Sequence, residues 1–185
     1  NPLLGPLGAA IVYGPQKGLP ADEVDAFDTE AAGLATKLCQ YFNKPESLRD
    51  VPGSGAAGGI GFGLKVACNA EFVAGFELVN AWLELDTKIA AADLILTGEG
   101  KTDSSSLSGK GPVALVSAAQ KSDKRSLLLA GCVEAAAAAH LQTHFPKCAV
   151  YEITPEGCPL PKALADGPEN LKAKTASVIR QHLAL

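Results

Sequence analysis

Apolar and polar positions alternate along this chain in two rhythms. From residue 86 onward, short apolar runs are separated by stretches with helical spacing. "DLILTGEG" (Asp93–Gly100), "RSLLLAGC" (Arg125–Cys132) and "CAVYEIT" (Cys148–Thr154) read as buried strands, the first passing into a loop at its glycines. "GKGPVALVSAAQKS" (Gly109–Ser122) and "EAAAAAHLQTHF" (Glu134–Phe145) read as helices between them, and a closing helix starts near Asp166 or Glu169. This alternation predicts an α/β fold, a parallel sheet with helices on both faces. In such sheets ligands bind beyond the carboxyl ends of the strands, which is where Thr97–Ser108 falls.

The first ~50 residues follow a different rhythm, as a separate module would. "GAAIVYG" (Gly8–Gly14) reads as a short strand bracketed by glycines. Ala21–Phe42 reads as an amphipathic helix with an apolar stripe at Val24, Phe27, Ala31, Leu34 and Leu38. "GSGAAGGIGFG" (Gly53–Gly63) is glycine at six of eleven positions and leads into an apolar segment. Ala74–Ala92 reads as helical with a break near Leu85–Asp86.

Composition narrows the function classes. Of 185 residues, 47% are hydrophobic and 19% charged, enough for a sizeable core. A formal net charge of −4 argues against a nucleic-acid surface. No apolar run is long enough for a membrane span, and the opening "NPLLGP" reads like the interior of a longer protein. Five cysteines without a CxxC pair point to a reducing, cytoplasmic setting rather than a disulfide framework or a zinc site. His140 and His144, four apart, lack flanking metal-site residues and read as ordinary side chains.

Three stretches carry candidate chemistry. In "TGEGKTDSSSLSGKG", Glu99 and Asp103 have the chemistry to hold Mg²⁺, and Lys101 or Lys110 to neutralise phosphate. Gly98, Gly100, Ser105 and Ser106 offer close backbone and hydroxyl donors. A solvated strand-to-helix loop is the plainer alternative. The glycine stretch offers a flexible segment that lets domains move or lets backbone amides meet an anion, or close helix packing through small residues. "YGPQKG" (Tyr13–Gly18) places Gln16 and Lys17 in a turn, where Lys17 serves an anionic substrate or is simply solvated. "GKGP" lacks the Ser or Thr of a P-loop, and no GxSxG occurs.

Taken together, "NPLLGPLGAAIVYGPQKG", "GSGAAGGIGFGL" and "ADLILTGEGKTDSSSLSGKGP", in this order and spacing, resemble the bacterial-type glycerate kinase family, its C-terminal half. The resemblance implies Mg²⁺-assisted transfer of the γ-phosphoryl group of ATP to D-glycerate, giving phosphoglycerate at the 2-position. It implies two α/β domains, one inserted in the other, with the site in the cleft between them. Residues 1–52 would then belong to the inserted domain and 53–185 to the main one. Glu99, Lys101 and Asp103 would be catalytic, Glu99 and Asp103 also metal-binding. Lys17, Gln16, Gly98, Gly100, Ser105, Ser106, Lys110, Gly58 and Gly59 would bind substrate or phosphate. Lys101 stands where the family usually has Arg, and Ser105-Ser106 where it has Gln-Thr. The N-terminal half is the implied partner, and the 185 residues alone are expected not to turn over glycerate. Which carboxylate is base and which metal ligand stays open, as do a different small hydroxy acid as substrate and a non-catalytic binding module.

Overall fold

A computed structural model describes residues 1–109 and 111–183. The chain forms two compact units, Asn1–Val73 and Ala74–Leu185.

The second unit holds the sheet. Strands β1 (Leu94–Thr102), β2 (Arg125–Val133) and β3 (Cys148–Glu152) are parallel, in the order β1-β2-β3. Nine helices occur among the described residues. The first three, α1 (Ala9–Tyr13), α2 (Val24–Tyr41) and α3 (Ile60–Cys68), lie in the first unit. The other six are α4 (Gly75–Leu83), α5 (Leu85–Ala91), α6 (Gly111–Lys121), α7 (Ala135–His144), α8 (Leu160–Ala165) and α9 (Gly167–Leu183).

Leu127, Leu128, Leu129 and Ala130 are consecutive and all buried, because β2 is covered on both faces. Leu128 and Ala130 pack with Val113 and Val116 of α6 and Leu141 of α7. Leu127 and Leu129 pack with Val178 of α9. Ile95 joins Ile89 of α5 and Ala119 of α6. Each fully buried leucine contributes about 1.5–3 kcal/mol of transfer free energy. The expected break between α4 and α5 falls at Glu84, whose φ of 51° turns the chain left-handed.

The first unit has no strand among the described residues. The run at Gly8–Gly14 is α1, not a strand. Gly8 is extended before the helix, and the Gly14 amide donates to the Ala10 carbonyl at 2.8 Å. Five apolar residues in a row carry no periodicity that separates a strand from a helical turn. In α2 the helix forms as expected, but the buried positions are Val24, Ala35 and Cys39, whereas Phe27 is 52% and Leu34 60% exposed.

The glycine stretch packs with the residues before it. Phe62 and Val66 of α3 pack on Leu3, Ala35 and Cys39. The amides of Gly53 and Gly55 both donate to the Asn1 carbonyl, and the Ser54 hydroxyl accepts the Leu3 amide at 2.9 Å. The glycine stretch is thereby bound to the residues upstream of it, and the compact units divide at 73/74.

Candidate functional site

The carboxyl end of β1 was expected to be loop from Gly98, but the strand continues to Thr102. Glycine makes this possible. A Cβ at Gly98 would lie 2.4 Å from the Leu129 carbonyl oxygen, and one at Gly131 would lie 2.5 Å from that of Gly100. These glycines admit close strand approach, while Gly100 has open space beside it. Side chains alternate along a strand, so Thr97, Glu99 and Lys101 share one face, with Lys101 in register with Cys132 of β2.

The turn after β1 is held by its own side chains. Buried Thr102 donates from Oγ1 to Glu99 Oε1 at 2.9 Å. Asp103 Oδ1 accepts the Ser105 amide at 2.9 Å and the Ser105 hydroxyl at 2.6 Å. Ser106 is buried; its hydroxyl accepts the Asp103 amide at 3.3 Å and lies 3.4 Å from the Lys101 carbonyl. The structure therefore brings Gly98, Glu99, Gly100, Lys101, Asp103, Ser105 and Ser106 into one stretch of backbone, with both serines bonded within it. Lys110 lies outside the described residues.

Lys101 has two acidic neighbours. Its Nζ is 2.7 Å from Glu134 Oε1 and 3.9 Å from Asp103 Oδ2. The hydrogen bond and charge of Glu134 hold the Lys101 ammonium above the usual lysine range. The Ser105 hydroxyl, followed by backbone amides and then Lys101, holds the Asp103 carboxyl below the usual carboxylate range. Both groups are thus charged near neutral pH. A depressed carboxylate is a weak base and a good cation ligand.

Glu134 was not singled out in the sequence, where it opens a run of alanines. It lies one residue beyond β2, its amide donating to the Thr102 carbonyl at 3.0 Å. The available signal was topological: neighbouring parallel strands bring their carboxyl-end residues together.

The remaining candidates belong to the first unit. Lys17 and Gly58 line a cavity of about 520 Å³ walled mainly by Leu3, Ala10, Tyr13 and Phe27. Gln16 is exposed beside them in a helical turn, Pro15–Lys17. Ala57, Gly58 and Gly59 all have positive φ, and a Cβ at Gly59 would come within 2.9 Å of Leu3.

Among the described residues no group of three or more His, Cys, Asp or Glu is arranged to hold a metal ion alone. His140 and His144 stack at 4.0 Å between ring centroids, and the His144 ring contacts the His140 carbonyl. Glu99 and Asp103 each carry hard carboxylate oxygens, the ligand type that Mg²⁺ takes. No helix among the described residues is long and apolar enough to cross a membrane.

Comparison with known proteins matches these features to one group. The sequence profile of the glycerate kinase family covers residues 1–183. Glycerate kinase of Bacillus subtilis strain 168 is 33% identical over all 185 residues, which span 47% of that protein. Glycerate 2-kinase of Escherichia coli strain K12 is 37% identical over 131 residues, 71% of this chain and 34% of that one. A crystal structure carrying the name glycerate kinase 2, from Salmonella typhimurium LT2, superposes with a TM-score of 0.68 at 32% identity, covering 100% of this chain and 46% of that one. The chain spans about half the length of the relatives that it matches from end to end. The chain belongs to the glycerate kinase family.

Proposed function

We propose that the protein carrying this chain phosphorylates D-glycerate at its 2-hydroxyl with ATP. The hydroxyl oxygen forms a bond to the γ-phosphorus, the bond from that phosphorus to the ADP oxygen breaks, and the hydroxyl proton passes to a base. The observation that carries this reading is the placement of Glu99, Lys101 and Asp103 at the carboxyl end of a parallel strand, two of them with matched charge. Family membership and the name of the Escherichia coli relative support the choice of substrate and position.

Phosphoryl transfer depends chiefly on positioning and on neutralising charge. Lys101 supplies positive charge toward an anionic group. Glu99 and Asp103 are the residues that would hold Mg²⁺, which when bound screens the phosphate oxygens. Glu99 is oriented by Thr102 and Asp103 by Ser105, so neither must reorganise when a cation arrives. The low proton affinity of Asp103 favours the ligand role over that of base. In the first unit, Lys17 and Gln16 are assigned to the substrate, and Gly58 and Gly59 to phosphate. Gly98, Gly100, Ser105, Ser106 and Lys110 are assigned to phosphate in the second.

The other partner is the rest of the same polypeptide, since the end-to-end relatives are about twice this length. β1 is an edge strand with Leu96 45% exposed, a poor surface to leave in water. Five free cysteines fit a cytoplasmic location.

The test is ADP release by the full-length protein on adding D-glycerate, with Glu99→Gln and Asp103→Asn assayed across a Mg²⁺ titration. Each variant is expected to lose about 10²–10³-fold in kcat/KM at low Mg²⁺, with excess Mg²⁺ restoring part of it. Full activity in Asp103→Asn at low Mg²⁺, or no ADP release by the unmodified protein, would refute the reading.

A further inference from the structure

We propose that Glu134 is the positioning residue for Lys101: it holds the ammonium at the end of β1 and keeps it off Asp103. The inference rests on the kinase reading and adds to it a residue just beyond the end of β2.

The distances set the division. Lys101 Nζ is within hydrogen-bond reach of Glu134 Oε1, at 2.7 Å, but at 3.9 Å from Asp103 Oδ2 it is outside it. Asp103 Oδ1 is occupied by Ser105, so Oδ2 is the oxygen left facing the lysine. A lysine ammonium is a point charge on a flexible four-carbon stem, half exposed here, and a single carboxylate at Asp103 would draw it in. Glu134 gives it a second anchor.

That anchor is itself fixed. The Glu134 amide donates to the Thr102 carbonyl at 3.0 Å, tying it to the end of β1. Its carbonyl accepts the Ala138 amide at 2.9 Å and so starts α7. The neighbouring Val133 amide donates to Glu152 Oε2 at 2.8 Å, which fixes the ends of β2 and β3 together. The Glu134 side chain makes no cap hydrogen bond to α7, so its carboxylate serves the lysine rather than the helix. A group carried on rigid backbone holds its partner more closely than one carried on a loop.

Without Glu134, Lys101 falls onto Asp103 Oδ2. One event then withdraws the cation from an incoming anion and covers the carboxylate assigned to Mg²⁺. Weaker binding of Mg·ATP and a higher Mg²⁺ requirement should therefore appear together.

The experiment is a double-mutant cycle in the full-length protein, with the Kd of Mg·ATP measured by calorimetry and kinetics measured alongside. Glu134→Gln keeps the shape of an exposed side chain and removes only its charge. It is expected to raise Kd and KM for Mg·ATP about tenfold, with kcat changed less than about threefold, and to raise the half-activating Mg²⁺ concentration. Lys101→Ala is expected to weaken binding similarly, and adding Glu134→Gln to it should change Kd by less than about twofold. The proposal is overturned if Glu134→Gln leaves Kd and the Mg²⁺ requirement unaltered, or if it costs as much in the Lys101→Ala background as alone. An unmodified protein that releases no ADP with D-glycerate overturns the kinase reading, a result distinct from either.

Discussion

The two units build their cores from different elements. In the second, one strand supplies four consecutive buried residues, Leu127 to Ala130, and helices cover both of its faces. In the first, the core is a single cluster of Leu3, Ala35, Cys39, Phe62 and Val66. Around it Leu7, Phe27, Leu34, Tyr41 and Ile60 are each more than half exposed. The sheet unit is organised by a buried strand. The helical unit is organised by backbone hydrogen bonds to its N-terminal residues and by glycines that let segments approach. A Cβ at Gly55, for example, would lie 2.2 Å from the Pro2 carbonyl oxygen.

The same truncation made in each unit tests this contrast most severely. Leu128→Ala removes a fully buried side chain between α6, α7 and β2 and is expected to cost about 2–5 kcal/mol. Leu34→Ala, at a position 60% exposed, is expected to cost less than about 0.5 kcal/mol. Denaturant midpoints of the two variants, with amide exchange along β2 as a local readout, would show it. Equal losses would mean that the first unit's exposed leucines are more engaged than their accessibility indicates.

A smaller effect is expected where glycine matters. Gly98→Ala forces a methyl against the Leu129 carbonyl, and Gly55→Ala against the Pro2 carbonyl. Each should cost about 1–3 kcal/mol, because backbone rather than a flexible side chain must yield. Gly100→Ala, with open space beside it, is the control and should stay within about 0.5 kcal/mol. If Gly98→Ala matches that control, close strand approach is not why glycine stands there.

These differences decide what was legible in the sequence. β2 was, because a strand buried on both faces is a continuous apolar run bounded by polar turns, and the apolar starts of the edge strands β1 and β3 were too, although β1 beyond Gly98 was not. The group Glu99, Lys101, Asp103 was legible as local chemistry, since its members are neighbours in the chain. Glu134 was not, because its place beside Lys101 comes from the parallel register of β1 and β2, which no local pattern states. Likewise α1 was misread as a strand, because five residues that are all apolar show neither the helical nor the strand period. The face that α2 buries was legible in part: Val24 is buried and Leu38 packs on the core, but the apolar stripe is wider than that core and leaves Leu34 exposed and Phe27 on the wall of the cavity.

The smallest expected difference lies in the thiols, which sample both units at once. The first holds buried Cys39 and exposed Cys68; the second holds buried Cys148 and exposed Cys132. Burial pushes the Cys39 and Cys148 thiols up, so at pH 8 their thiolate fraction is below that of an ordinary cysteine. Cys68 and Cys132 should therefore react first with an aromatic disulfide reagent. Raising the pH speeds the buried pair only as far as opening allows, because a thiol at 1% exposure, as in Cys39, must be uncovered before it ionises in water. Opening should come more readily in the unit with the single small cluster. Cys39 is then expected to label about tenfold faster than Cys148, a difference of about 1.4 kcal/mol in opening free energy. Peptide mapping of samples quenched over time would give the order. Cys148 reacting before Cys39 would reverse the ranking of the two cores and leave static accessibility a poor guide to which unit opens.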